Sequence, residues 1–115
     1  MVAIKRFEEL VVWKESKELV IMIYDILKDC RDRDFKSQLN RAAISVMNNT
    51  AEGFERKSNK EFRQYLYISK GSAGEVRSML ILGSELGYIS GEKSLKLQEK
   101  VMFISGMLAG LIRKL

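Results

Sequence analysis

The chain has 115 residues, 46% of them apolar and 30% charged, with a formal net charge of +5 and a pI near 9.4. That length closes one hydrophobic core in one domain, and the mildly basic balance favours acidic partners, nucleic acid first among them. Histidine is absent, which excludes the usual general base, the Ser-His and Cys-His nucleophile pairs, most zinc sites and the Glu-x-x-His ligand sets of di-iron bundles.

Proline is absent too, so nothing locks φ or deletes a backbone donor, and long uninterrupted helices are expected. Cys30 is the only cysteine; no intrachain disulfide can form and a reducing compartment is the default. The apolar runs Leu19–Tyr24 and Val101–Ile112 are too short to span a bilayer. Residues Met1–Phe7 lack the apolar centre of a signal peptide. A cytoplasmic protein with no membrane partner is expected.

The first predicted helix covers roughly 8–28. Leu10, Trp13, Val20, Ile23 and Leu27 mark its core stripe, with Lys17 interrupting and Phe7 packing back as a staple. Val12, Leu19, Met22 and Ile26 extend the apolar surface to other faces. A helix apolar on several sides is usually buried on several sides, which points to a subunit interface. Asp29–Asp34 reads as a solvated charged turn, with Asp34 as cap of the second helix, 35–56, whose end Gly53 weakens.

That second helix carries an unusual polar stripe. Gln38, Arg41, Ser45, Asn48, Asn49 and Glu52 recur at three- and four-residue steps beside the apolar stripe Leu39, Ala43, Val46 and Thr50. A polar stripe beside a core face is either a buried hydrogen-bond layer or a binding surface.

Ser58-Asn-Lys-Glu61 followed by Phe62 fits a capping box and starts the third helix, 59–86. Phe62, Leu66, Ser69, Ala73, Val76, Leu80 and Gly83 form one four-three seam; Tyr65, Ile68, Ser72, Glu75, Met79, Leu82 and Leu86 form a second beside it. Two adjacent seams make a face broad enough for two neighbouring helices. Gly71-Ser-Ala-Gly74 lacks the lysine spacing of a phosphate loop and reads as a site of close helix–helix packing. Gly87 is the expected C-terminal cap and Ser90 the expected N-cap of the fourth helix, 91–114. Its seam is Leu97, Val101, Ile104, Leu108, Leu111 and Leu115. Short connections between long helices predict an all-α, antiparallel up-down-up-down four-helix bundle in a single domain, 1–115.

Several of these residues also form an ordered set of motifs: Phe7-x-x-Leu10-x-x-Trp13, Gln38-x-x-Arg41-Ala-Ala-x-Ser45, Asn49-x-Ala51-Glu52-Gly53-x-x-Arg56, Ser58-x-x-Glu61-Phe62 and Gly71-Ser72-x-x-Glu75. Together they resemble the four-helix bundle family first named for proteins encoded in 23S rRNA intervening sequences. The chain departs from it at Arg31–Phe35, which lacks the family's proline and glutamate, and at Thr50, where isoleucine is common. The resemblance implies a ring-forming bundle, with a homopentamer as the expected state. It extends to the accessory bundle protein of diversity-generating retroelements, a basic, barrel-shaped pentamer that works with a reverse transcriptase and nucleic acid.

Three functional readings follow. From Arg56 to Arg77 there are six cations (Arg56, Lys57, Lys60, Arg63, Lys70, Arg77) against Glu61 and Glu75, a local excess of four. Lys60, Arg63, Lys70 and Arg77 share one helix face, and such a strip is either a phosphate track or a solvated face. Five copies in a ring would sum to a field no monomer makes. Tyr65 and Tyr67 are alternatives for base stacking, core or plain surface. No major-groove reading motif is present, so sequence-selective binding is not expected. The first reading is therefore a non-enzymatic, homo-oligomeric accessory protein that binds RNA or DNA through phosphates. The second is a scaffold whose ring docks a protein partner. The third uses Glu52 and Glu75 as an acid–base pair or half a metal site; against it stands a structural polar layer of Arg41, Ser45, Asn48, Asn49, Glu52, Ser72 and Glu75. The expectation is no catalytic residue, no cofactor and no metal.

Overall fold

The computed structural model describes residues 3–115; Met1 and Val2, part of the N-terminal segment read for a leader, lie outside the described residues. Four helices follow a 3-10 turn at Phe7–Glu9: α1 (Val11–Ile26), α2 (Arg33–Phe54), α3 (Asn59–Glu85) and α4 (Gly91–Lys114). No strand occurs among the described residues. Each helix packs on its chain neighbours and α4 closes onto α1, while the diagonals α1–α3 and α2–α4 stay apart. This is the up-down-up-down arrangement. The α3 helix, about 40 Å long at 1.5 Å per residue, sets the long axis of a 46 × 22 × 19 Å body.

The core runs the length of the bundle. Leu19, Ile23, Leu39, Leu66, Leu80, Ile104 and Leu108 are fully buried, each worth about 1.5–3 kcal/mol relative to exposure. The first seam of α3 lies inward as expected: Leu66, Ser69, Ala73, Val76, Leu80 and Gly83 are buried and Phe62 is half-buried. The expected stripe of the first helix holds in part: Leu10, Ile23 and Leu27 are buried. Val12 and Leu19, assigned to side faces, are core, whereas Trp13 and Val20 are half-buried. Period alone did not find the inward side because α1 is apolar around most of its circumference. On α4, Ile112 takes the last core position and Leu111 and Leu115 are half-buried.

The helix ends show why the chain turns where it does. Ser58 accepts the Glu61 amide at 3.2 Å and its hydroxyl lies 3.3 Å from the Glu61 carboxylate; Ser90 accepts the Lys93 amide at 3.2 Å. Gly87 has φ of +78°, and the Tyr88 and Gly87 amides return to the Gly83 and Ser84 carbonyls, which closes α3 with a Schellman motif. The expected cap of α2 is corrected. Asp32, not Asp34, accepts the Phe35 amide at 3.1 Å, and α2 begins at Arg33 and ends at Phe54 instead of spanning 35–56. Asp34 lies in the first turn, where its charge suits the helix dipole. The first helix is also shorter than 8–28, because extended Leu10 separates the Phe7–Glu9 turn from α1. Phe7 still packs edge-on to Trp13, with centroids 5.1 Å apart.

Two long-range contacts pin the bundle ends. At one end Tyr88 donates its hydroxyl to Asp32 at 2.8 Å and packs edge-on to Phe35 at 5.1 Å, tying the α1–α2 and α3–α4 connections together. Beside it, buried Gly83 makes room for Phe35 and Ile89, whose atoms lie 2.9 Å from where a Cβ would stand. At the other end Gly53 lets α2 meet α3: a Cβ there would stand 2.7 Å from the Tyr65 Cβ and 3.2 Å from the Phe62 carbonyl oxygen. Close approach therefore occurs at Gly53 and Gly83. It does not occur at Gly71 and Gly74, which are exposed with open space around them; that expectation is corrected, because both glycines point out of the bundle.

Gly71→Ala and Gly74→Ala should each raise stability by about 0.5–1 kcal/mol through helix propensity, while Gly53→Ala should lower it by about 1–3 kcal/mol through overpacking. Urea unfolding measures this, and equal effects at the two kinds of site would contradict the geometry. The Asp32 carboxyl is held below the usual carboxylate range, chiefly by the Phe35 amide and then by the Tyr88 hydroxyl. Tyr88 is raised, chiefly by its bond to Asp32. The Asp32 contribution is therefore complete above the ordinary carboxylate pKa of about 3.9 and is lost as pH falls through the lowered folded value. The Tyr88 contribution is complete below about pH 10 and is lost as pH rises through its raised value. Tyr88→Phe should be less stable than wild type at pH 7, and the gap should narrow towards pH 2; a pH-independent gap in urea midpoints would refute this.

Candidate functional site

Two polar layers lie between α2 and α3, an inner one drawn from the apolar stripes and an outer one drawn from part of the α2 polar stripe. The inner layer is fully enclosed. Thr50 and Ser69, both with no exposed surface, place their hydroxyls 3.0 Å apart, and both reach the Val46 carbonyl, Thr50 at 2.9 Å and Ser69 at 2.5 Å. Two of these contacts, Ser69 with Thr50 and Ser69 with Val46, cross from α3 to α2, and the third, Thr50 with Val46, lies within α2. One turn outward, Ser45 and Ser72 meet at 2.7 Å. Asn49 donates to both the carbonyl and the hydroxyl oxygen of Ser45, each at 2.9 Å.

The outer layer opens to solvent as a cleft of about 550 Å³ between α2 and α3. Ser45 and Ser72 form its floor; Gln38, Arg41, Asp34 and Glu75 stand on its walls. Gln38 donates to Glu75 at 3.5 Å and Arg41 donates to Ser37 at 3.2 Å. Asn48 and Glu52 are exposed on the same helix and do not line the cleft. Of the expected polar layer, then, Ser45, Asn49 and Ser72 are joined by hydrogen bonds. Arg41 and Glu75 sit at the rim, and Asn48 and Glu52 lie outside it. Glu52 and Glu75 have no hydrogen bond or ion pair with each other. Among the described residues no group of three His, Cys, Asp or Glu side chains is placed to hold a metal ion.

The basic strip lies on the other side of α3. Lys60, Lys70 and Arg77 are exposed and Arg63 is half-buried. Lys70 and Arg77 flank a groove of about 360 Å³ against α4, with Gly74, Met102 and Ser105 in its lining. Among the described residues the salt bridges are Lys28–Asp25 and Lys100 with Glu15 and Glu18, so none of the four strip cations is neutralised that way. Arg56 is used differently: it bonds the Tyr65 hydroxyl and lies over the Tyr65 ring, 4.9 Å from the centroid. That contact occupies half-buried Tyr65, while Tyr67 is 58% exposed.

The Thr50–Ser69 pair was not singled out from sequence, because each residue sat in an apolar stripe as a core filler. A shared signal did exist: both are small hydroxyl residues at inward positions of adjacent helices. Arg33 and Lys36 were likewise missed, Arg33 because it was counted with a solvated turn.

The comparisons with known proteins agree with this architecture. A solved structure of a protein of unknown function from the S23 ribosomal protein family of Bacteroides thetaiotaomicron superposes with a TM-score of 0.80 at 24% identity, covering 89% of this chain and 98% of that one. At that identity the likeness establishes the fold. No curated protein matches the chain. The family model for the 23S rRNA-intervening sequence protein matches residues 8–110, a span that takes in every motif lining the α2–α3 cleft, and the chain belongs to that family.

Proposed function

We propose that this protein is a non-enzymatic, homo-oligomeric helical bundle that binds RNA or DNA through phosphates, as a cytoplasmic accessory protein. The observation that carries the reading is the strip Lys60, Arg63, Lys70 and Arg77 on one face of α3, with no salt bridge to a described carboxylate. Four cations spread along about 25 Å of helix suit an extended phosphate backbone better than a compact ligand, and they carry no base-reading geometry. Weakly sequence-selective, salt-sensitive binding follows.

Self-assembly is supported by apolar surface that the monomer leaves uncovered. Ile68, Leu82 and Leu86, members of the second α3 seam, are 46–52% exposed, and Leu95, Met102 and Phe103 on α4 are 53–60% exposed. Gly71 and Gly74 leave open space beside this surface. Apolar patches of this kind mark interaction sites. A homopentamer, the state implied by the family resemblance, would cover them and repeat the basic strip around a ring.

Replacing Lys60, Arg63, Lys70 and Arg77 together by glutamate should weaken binding to RNA and DNA by at least about 100-fold at low salt, with the oligomer measured by light scattering alongside. Undetectable binding by the wild-type protein at low salt, or unchanged affinity in the variant, would refute the reading. Indifference to nucleic acid together with co-purification of a protein would turn it to the scaffold alternative.

A further inference from the structure

The α1–α2 side of the bundle carries a second cationic cleft, of about 420 Å³. Arg33, Lys36 and Arg41 line it and no carboxylate does. The nearby acids are engaged or turned elsewhere. Asp32 holds Tyr88 and the Phe35 amide, Asp34 lines the α2–α3 cleft, and Asp25 lines the α1–α4 groove. Lys36 donates to the Lys28 carbonyl at 3.3 Å and Arg41 to the Ser37 hydroxyl at 3.2 Å. Both partners are neutral; Arg41 also stands on the wall of the α2–α3 cleft, which Asp34 and Glu75 share, while Arg33 and Lys36 line this cleft alone.

Two further groups make this cleft unlike a plain basic surface. Tyr24, 48% exposed, stands in its wall. Asn40 lines it too, and its side-chain carbonyl oxygen is buried and accepts no hydrogen bond. An amide left with an orphan acceptor gains by turning towards a ligand's N–H donor.

We propose that this cleft seats an unpaired nucleotide of single-stranded RNA or DNA. Arg33, Lys36 and Arg41 hold its phosphates, Tyr24 stacks on the base and the Asn40 amide meets the base edge. The inference deepens the nucleic-acid reading and rests on it. It adds a preference that the α3 strip lacks: a base inside a duplex has both faces covered, so only an unpaired one can lie on Tyr24. The α1–α2 and α3–α4 grooves lie on opposite sides of the bundle, so a strand and a duplex would not compete for one surface.

The test uses the full chain, a fluorescent oligouridine and an RNA hairpin duplex, at low salt. Tyr24→Ala and Arg33→Glu should each weaken oligouridine binding about tenfold and leave duplex binding within about twofold. Both positions are exposed, and a glutamate at Arg33 suits the first turn of α2, so thermal unfolding should be unchanged. Photocrosslinking with 4-thiouridine in the oligonucleotide should map to Tyr24. If both variants bind oligouridine like wild type, or the crosslink maps away from α1 and α2, the cleft is not the site. If duplex binding persists in that case, the phosphate-track reading survives; if wild type binds neither probe, both fall.

Discussion

The triangle of Thr50, Ser69 and the Val46 carbonyl is the constraint on which the α2–α3 arrangement depends. Apolar seams tolerate sliding, because one leucine packs against another at several offsets. A buried hydroxyl does not: away from its partner it costs about 1–3 kcal/mol. Thr50 keeps the Val46 carbonyl within α2 in any register, so the register-dependent contacts are those of Ser69, with the Val46 carbonyl and with the Thr50 hydroxyl. The Gly53 contact with Tyr65 and Phe62, one turn along the same helix pair, agrees with the register that Ser69 sets.

Once α2 and α3 are held, the surface of the bundle is partitioned. Ser45 and Ser72 are brought together under the open cleft, which makes the family's motif residues the visible rim of a structural seam. The same rotation of α3 turns Lys70 and Arg77 towards α4 and leaves Ile68, Leu82 and Leu86 outward. Polar packing and uncovered apolar surface thus share the second seam of α3, and the cationic surface occupies another side of the helix. The Asp32–Tyr88–Phe35 contact does the complementary task at the bundle end, joining connections that are 56 residues apart.

Much of the fold was legible. Ser58, Ser90 and Gly87 act locally, through amides within four or five residues, so their roles could be read from neighbouring positions. The α2 cap was not legible in that way. Asp29, Asp32 and Asp34 compete in one turn, and the choice of Asp32 is reinforced by Tyr88, distant in sequence. Nor could periodicity place α1, whose apolar residues surround it, or tell the glycines apart. Gly53 and Gly83 meet side chains while Gly71 and Gly74 meet nothing, and the difference lies in helix rotation. At the candidate site, the polar stripe was visible as a pattern. That part of it forms an open rim over the enclosed Thr50–Ser69 pair depends on depth between helices, which spacing does not encode.

The most direct measurement is a double-mutant cycle on Thr50→Val and Ser69→Ala, followed by urea unfolding. Each single change should cost about 0.5–1.5 kcal/mol, because it removes the hydroxyl–hydroxyl contact and one bond to the Val46 carbonyl while the remaining hydroxyl keeps that carbonyl. The double variant should cost less than their sum, with a coupling of at least about 0.5 kcal/mol. Strictly additive losses would mean that the two hydroxyls do not act together, and the register of α2 on α3 would then need another cause.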